Sequence, residues 1–357
     1  MKLRTITPKC APDVRLDSPA EVTLESGGMI ELSTPRNMFV SWERQRQYSP
    51  TTPSVLSIRW SENGQRFFDL GKQRYAVDDT GYMVFNQGTD FASEIDSETL
   101  VRCYTVNFVP GMAEETLRSL ITPTDRLLDD PHTTDIPMVN FYEKTYRHNT
   151  SVTPVLRRLA RYGERSPTDY TWFEEQFRFL VEGMLCAHRN IFREMEQIPA
   201  IRAATREELY MRLHLARDFM EANLNLPLTV PEIAQQACLS THHFLRMFKQ
   251  VFQETPHQYL TRRRMERARQ MLILSDVSVT QICFALGFES LGSFSWLFRA
   301  RTGLSPEQFR LQARRGVALS LTERVDRPDL RSLESGSSRM LGLSLAPKDD
   351  DKPTEGF

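Results

Sequence analysis

Residues 229–259, TVPEIAQQACLSTHHFLRMFKQVFQETPHQY, and residues 278–309, SVTQICFALGFESLGSFSWLFRARTGLSPEQF, carry one pattern twice. Ile233, Ala237 and Leu239 align with Ile282, Leu286 and Phe288 at an offset of 49. Phe244, Phe248, Pro256 and Tyr259 align with Phe294, Phe298, Pro306 and Phe309 at an offset of 50. The one-residue step falls between the two blocks, where a turn belongs. Apolar positions recur while polar ones change, as expected of two copies of one folded unit.

Each copy reads helix, tight turn, helix. Thr229 and Glu232 form a capping box with Pro231 in the first turn. Val230, Ile233, Ala234 and Ala237 face inward, and the turn falls at Cys238-Leu239. Ser240 then caps a second helix with the apolar face Phe244, Met247, Phe248 and Val251. In the second copy Ser278 caps Val279 to Leu286, the turn is Gly287-Phe288, and Ser290 opens a helix with Phe294, Leu297 and Phe298 inward. This is helix-turn-helix logic. The segment from His257 to Leu274 has 18 residues, about 27 Å of helix. That length suits two recognition helices held near one DNA turn, about 34 Å, apart. Arg262, Arg263, Arg264, Arg267 and Arg269 lie on it. Two readings stand side by side: contact with phosphates, or pairing with Glu266 and acids elsewhere.

Charge follows the same division. Residues 209–315 hold 14 Lys and Arg against 8 Asp and Glu, while the rest of the chain holds 31 against 38. A basic module on an acidic protein favours a polyanionic partner.

The stretch from Leu213 to Arg310 resembles the DNA-binding domain of the AraC/XylS family of bacterial transcription regulators. The matching residues are Glu232-Ile233-Ala234, Leu239-Ser240, Phe244, Met247-Phe248-Lys249, Thr255-Pro256, Tyr259-Leu260, Arg263, Ala268 and Leu272. They continue with Ile282-Cys283, Leu286-Gly287-Phe288-Glu289-Ser290, Phe294-Ser295, Phe298-Arg299, Thr302-Gly303-Leu304-Ser305-Pro306 and Phe309-Arg310. The resemblance implies two helix-turn-helix units, each placing one helix in the major groove of promoter or operator DNA. It also implies activation together with RNA polymerase, a homodimer, and an effector-sensing domain ahead of the repeat.

On the first recognition helix the outward residues are Thr241, His242, His243, Leu245 and Arg246, followed by Lys249. Arg246 can bond guanine O6 and N7 together, or a phosphate. Leu245 can touch a thymine methyl or rest on the neighbouring helix. His242-His243 is no metal pair, since adjacent helical positions point about 100° apart and no further ligand completes a set. On the second helix the outward residues are Leu291, Gly292, Ser293, Ser295, Trp296 and Arg299. Trp296 offers a single donor, so sequence discrimination there should be weaker. Cys238 stands where the second copy has Gly287, a position that favours glycine if φ is positive.

Upstream, from Val22 to Phe108, the pattern is strand-like. Candidate strands are Met29–Leu32, Met38–Trp42, Val55–Trp60, Arg74–Val77, Gly81–Phe85 and Val101–Val106, punctuated by Gly27-Gly28, Glu62-Asn63-Gly64, Asp78-Asp79-Thr80-Gly81 and Gln87-Gly88. Such spacing suggests a sandwich or barrel, and in pattern it resembles the cupin-like sensor domain often found in the family. Residues 1–131 contain no histidine, which leaves a metal-dependent cupin enzyme without its usual ligands. No Ser-His-Asp, Cys-His or phosphate-loop pattern appears, so no enzymatic activity and no cofactor are expected. Trp42, Arg59, Tyr75, Tyr82 and Tyr104 are candidates for an effector pocket, and Arg59 or Arg102 would suit a carboxylate if inward-facing.

After Pro110 the period becomes helical over 112–120, 152–164 and Trp172–Ile198. Phe173, Phe177, Leu180, Met184, Ala187, Ile191, Met195 and Ile198 form one apolar stripe that packs either on the barrel or on a second subunit.

The expected class is α+β: a cupin-like barrel or sandwich plus helices, then an all-α domain. The expected divisions are a sensor at 1–125, a helical linker with a possible dimerisation segment at 126–206, the DNA-binding domain at 207–315 (units at 229–250 and 277–300), and a flexible tail at 316–357. No apolar run reaches the roughly 18 residues of a membrane span, and no secretory signal is visible, so the expected location is cytoplasmic. Cys10, Cys103, Cys186, Cys238 and Cys283 contain no Cys-x-x-Cys pair, which argues against a disulfide framework or zinc knuckle. The first reading is a DNA-binding regulator whose N-terminal domain senses a small molecule. The alternatives are an N-terminal domain that binds a partner protein and, more remotely, a cupin-like enzyme.

Overall fold

The computed structural model describes residues 4–6, 37–122, 138–163, 170–199 and 202–314. The expected strand at 29–32, the tail at 316–357 and Cys10 lie outside the described residues.

Eight strands form one antiparallel sheet that curls into a nearly closed barrel: β1 (Arg4–Ile6), β2 (Met38–Pro53), β3 (Ser57–Glu62), β4 (Arg66–Leu70), β5 (Gln73–Val77), β6 (Gly81–Phe85), β7 (Asp90–Asn107) and β8 (Thr145–Arg147). The order is β1-β2-β7-β3-β6-β8, with β4 bridging β7 and β5. β2 and β7 run far beyond their apolar segments. Residues 43–53 pair with 90–102, with register shifts between Arg44 and Arg46 and between Ser49 and Thr52. This arm is polar and partly exposed, so it lacks the alternation that marks a strand in sequence.

Cross-strand pairing assigns the two faces of the barrel wall. Ser57, Arg59 and Ser61 pair with Asn107, Thr105 and Cys103, and these six share the inner face. Ile58 and Trp60 pair with Val106 and Tyr104, and Trp60 also pairs with Tyr82, on the outer face. There Phe39, Trp60 and Tyr104 stack, with Trp60 and Tyr104 centroids 4.8 Å apart.

The helices cover that outer face. They are α1 (Met112–Ile121), α2 (Thr153–Gly163), α3 (Tyr170–Glu196) and α4 (Ala203–Ala222). Phe173 of α3 packs 6.4 Å from Phe39, and Phe177 packs 6.5 Å from Phe108. All eight residues of the apolar stripe are buried within this one chain. The stripe is therefore not a dimer face, because the barrel near Phe39 and the helices α1, α2 and α4 of the same chain already cover it.

The repeat follows as α5 (Val230–Gln236), α6 (Thr241–Phe252), α7 (Pro256–Leu274), α8 (Val279–Ala285), α9 (Leu291–Thr302) and α10 (Pro306–Arg314). One continuous apolar core runs from the barrel through α3 and α4 into α5 and α6, ending at Tyr259 and Leu260. A second core holds Met265, Ala268 and Leu272 of α7 against Ile282, Cys283, Leu286, Phe294, Phe298 and Phe309. The expected division near 206 is thus not a break in packing: α4 belongs to both the barrel and the first helix-turn-helix unit.

Candidate nucleic-acid interface

The two units are built by the same local devices. Thr229 and Glu232 form a reciprocal capping box, with the Thr229 N–H donating to Glu232 at 2.7 Å. Ser278 and Gln281 do the same at 3.1 Å. Ser240 accepts from the His243 N–H and Ser290 from the Ser293 N–H, fixing the starts of α6 and α9. Both turns use left-handed backbone, with φ 51° at Cys238 and 71° at Gly287. A Cβ at Gly287 would sit 2.8 Å from the Asn225 carbonyl oxygen and 2.9 Å from Arg264 Nη2. Cys238 is exposed, which explains why a side chain is tolerated in the first copy and not in the second. Gln253 and Gly303 end the recognition helices, again left-handed, at φ 60° and 80°.

Packing then decides which residues face water. Phe244, Met247 and Phe248 are buried in α6, and Phe294 and Phe298 in α9. The opposite stripe of α6 presents His242, Leu245, Arg246 and Lys249. The matching stripe of α9 presents Gly292, Ser295, Trp296 and Arg299 at an offset of 50. Leu245 and Ser295 are half-buried, while Trp296 is 73% exposed. Thr241, His243, Leu291 and Ser293 stand in the first turns, to either side of these stripes; Ser293 Oγ accepts from Ser290 Oγ at 2.9 Å. The structure thus gathers Arg246 and Lys249 on one surface, and Trp296 and Arg299 on another. Such a stripe can lie along a major-groove floor, with its basic end near phosphates. Among the described residues, no group of three or more His, Cys, Asp and Glu could hold a metal ion.

The arginines of α7 turn inward. Arg262 pairs with Glu254 at 2.7 Å and Glu266 at 2.9 Å. Arg264 donates to the Leu224 carbonyl at 2.8 Å and also to that of Leu226. Arg267 donates to Gln270 at 3.2 Å, and Arg269 to the Arg301 carbonyl at 3.4 Å. Arg263 is buried, 2.6 Å from Glu221 and 3.0 Å from Asp78 of the β5–β6 turn, and it also meets Glu266. Pairing with acids accounts for Arg262 and Arg263, while Arg264, Arg267 and Arg269 donate to carbonyl or amide oxygens. Burial alone would raise the Asp78 carboxyl, but Arg263 and the Thr80 hydrogen bonds hold it below the ordinary carboxylate value. Tyr259 donates to Glu221, and Gln270 donates to Asp79 at 3.1 Å. This buried network, which fastens the first unit to the barrel, was missed in the sequence, where Asp78-Asp79-Thr80-Gly81 reads only as a turn.

The five candidate effector-pocket residues do not share one site. Tyr82 and Tyr104 lie on the outer, helix-covered face, and the Tyr75 hydroxyl donates to the Glu143 carbonyl at 3.4 Å. Trp42 pairs with Cys103 and so shares the inner face with Arg59. Arg102 faces outward and donates to Glu43 at 2.6 Å. Arg66, which the sequence reading passed over, joins Arg59 inside. Its guanidinium lies 4.9 Å from the Trp42 ring centroid and donates to Ser93 at 2.9 Å. Arg59 lies 4.1 Å from the Phe91 ring centroid. Neither arginine has a carboxylate partner among the described residues. Burial first, and Arg66 second, pull the Arg59 guanidinium well below its usual basicity. Ser61, Thr105, Asn107 and two Arg66 nitrogens are buried without hydrogen-bond partners.

Residues 233–312 match a family model described as a helix-turn-helix domain. Over 103 residues the chain is 43% identical to the HTH-type transcriptional regulator ArgR of Pseudomonas aeruginosa, covering 29% of this chain and 31% of that protein. Over 101 residues it is 36% identical to the HTH-type transcriptional activator RhaS of Yersinia pestis, covering 28% of this chain and 37% of that one. A solved transcriptional regulator with an AraC-type DNA-binding domain from Chromobacterium violaceum matches at 33% identity, covering 31% of this chain and 96% of that chain, with a TM-score of 0.27. The chain spans about a third of the length of the curated relatives it matches.

Proposed function

We propose that this chain, whose residues 233–312 are an AraC-type helix-turn-helix domain, is a sequence-specific regulator of transcription that reads double-stranded DNA with α6 and α9. The observation that carries this reading is the pair of matching exposed stripes on helices with equivalent serine caps and left-handed turns. α7 has 19 residues, about 28 Å of rise, which suits two adjacent major-groove entries on one face of the duplex. Arg246 is the principal base reader, and its bidentate pair with guanine is worth about 1–3 kcal/mol of discrimination. Lys249 and Arg299 contact phosphates, and Trp296 adds apolar contact. An activator named among the relatives supports promoter activation as the direction of control, with RNA polymerase as partner.

The test is a selection of randomised duplexes on the full chain and two variants. Arg246→Ala should flatten base preference in one half of the selected site and weaken specific binding about 10-fold or more. Trp296→Ala should weaken binding with a smaller change in preference. If Trp296→Ala erases preference at more base positions than Arg246→Ala, the assignment of reader and anchor is wrong.

A second reading concerns the barrel. Arg59 and Arg66 are two buried cations without a carboxylate partner among the described residues, surrounded by hydroxyl and amide groups that include unpaired ones. Buried charge without a partner is costly, and an anionic small molecule would supply one. This supports effector sensing by the N-terminal domain over capture of a partner protein. Arg66→Met should abolish an effector response without changing DNA affinity in the absence of effector.

A further inference from the structure

The apolar packing of the two helix-turn-helix units changes over within little more than one turn of α7. Tyr259 and Leu260 belong to the first core, and Met265, Ala268 and Leu272 to the second. The residues between, Thr261 to Arg264, are all polar. Bodies joined without a large apolar interface move relative to one another unless other contacts hold them. We propose that Arg264, which stands at this changeover, is a positioning residue that fixes the angle between α6 and α9 and thereby the half-site spacing the chain accepts on DNA. Arg264 lies on neither reading helix, so this role is additional to the proposed function, on which it rests.

Arg264 touches both units at once. On one side it reaches the loop between α4 and α5. Its Nε donates to the Leu224 carbonyl at 2.8 Å, and its Nη2 donates to the Leu226 carbonyl. Leu224 is buried in the first core. The Leu226 carbonyl also accepts from the Leu228 N–H at 2.9 Å, so the loop presents both carbonyls from a folded turn. On the other side the guanidinium lies over the Phe288 ring, 5.6 Å from its centroid, within cation–π distance. Phe288 packs on the second core and meets Phe294 of α9 at 5.2 Å between centroids. A chain of contacts thus runs from the first core through Leu224, Arg264 and Phe288 to the reading helix of the second unit.

The shape of the side chain suits the task. A guanidinium is a flat fork whose edge donates while its face stacks, which a lysine ammonium cannot reproduce. Burial lowers the basicity of Arg264, and no carboxylate offsets that. Its charge therefore meets carbonyl oxygens and a ring rather than an ion-pair partner. Gly287 lets the second turn close on the same place: a Cβ there would stand 2.9 Å from Arg264 Nη2 and 2.8 Å from the Asn225 carbonyl oxygen. Loop, guanidinium and turn are layered in contact. On DNA, a shift of one base pair moves a half-site by about 3.4 Å and turns it by about 35° around the duplex. Two helices held at one angle cannot follow that change, whereas a loosened pair can.

The test uses the full chain and duplexes built on its selected site, with the two half-sites moved apart or together by one and two base pairs. The parent should prefer the selected spacing over a one-base-pair insertion at least about tenfold. Arg264→Met removes the fork but keeps an apolar stem. That ratio should then fall to about threefold or less, with base preference inside each half-site unchanged. Arg264→Lys keeps the charge without the fork and should give a ratio between the two; it decides the matter if Arg264→Met does not fold. A merely structural role would lower the melting temperature and weaken every duplex alike, leaving the ratio where it was. A phosphate contact would also leave the ratio, would reduce the salt slope by about one in Arg264→Met, and would be preserved in Arg264→Lys. A second readout needs no DNA. Nitroxide labels on Gln250→Cys and Ala300→Cys, both exposed positions, report the distance between α6 and α9 by pulsed electron resonance. The background carries Cys10→Ser, Cys186→Ser and Cys238→Ser. The distance distribution should be narrow in the parent and broader in Arg264→Met. A parent that accepts every spacing equally, an unchanged ratio, or an unchanged distribution overturns the assignment. If no duplex sequence is selected but Arg264→Met broadens the distribution, the DNA reading alone fails. If duplexes are selected and neither readout moves, the role of Arg264 alone fails.

Discussion

The first and second helix-turn-helix units share their caps, their left-handed turns and the spacing of their apolar residues, yet they are embedded differently. The core of the first is continuous with the barrel through α4, and Arg263 ties it to Asp78 and Glu221. The second closes around its own core with the far half of α7. A repeat thus fixes a local fold, while residues outside it decide what each copy is attached to. The first unit packs directly on the N-terminal domain, while the second meets the first at α7 and at the Gly287 turn, which lies against Asn225.

The largest expected effect tests that attachment. Arg263→Ala leaves Asp78 and Glu221 buried together without their shared cation. Breaking a buried ion pair from one side costs about 3–5 kcal/mol. Urea unfolding of the full chain should show this loss. Hydrogen exchange should then rise in α4, in the β5–β6 turn and in the first half of α7, while α8 and α9 keep their protection. Equal loss in α8 and α9 would show that the two units are not embedded differently.

A smaller effect separates the two turns. Gly287→Ala forces a side chain into left-handed backbone against the Asn225 carbonyl and should cost about 2 kcal/mol. Cys238→Gly, at the equivalent position, should be neutral or stabilising by less than about 1 kcal/mol. Thermal unfolding of both variants checks the pair. A Gly287→Ala chain as stable as the parent would remove the close approach of the two units.

The smallest effect is a pH dependence confined to the first region. Burial, with Arg217 second, pushes the Lys144 ammonium down to about 7. A base with a lowered folded pKa contributes stability that is fully present above its unfolded value and is lost as pH falls through the folded one. Stability should therefore rise with pH, by about 1 kcal/mol between pH 7 and 8 from this group. Lys144→Met should remove that rise in urea titrations at the two pH values, and exchange in α9 should not follow it. A parent chain whose stability falls over this interval, or a variant that keeps the rise, would refute the assignment.

Much of this was legible in the residues. The repeat, its caps and the apolar faces of α6 and α9 depend on interactions within four residues, which sequence spacing records directly. Gly81–Phe85, buried at every position, was legible as a short run of aromatic and apolar residues bounded by turn residues. The polar arm of β2 and β7 was not, because its pairing rather than its composition makes it a strand. Arg263 and Asp78 are 185 residues apart, and no local pattern announces their contact. The split of the five pocket candidates between two faces follows from cross-strand register, which the sequence does not contain. Arg66 stood out only once burial without a partner became visible.

Hydroxyl-radical footprinting of the full chain on its selected duplex tests the central claim most directly, because it reads both stripes at once. Two recognition helices on one long helix should protect two backbone segments on one face of the DNA, centred about one helical turn, 10–10.5 base pairs, apart. Arg246→Ala should thin protection on one side only. A single protected segment, or protection spread evenly along any duplex, would contradict the account.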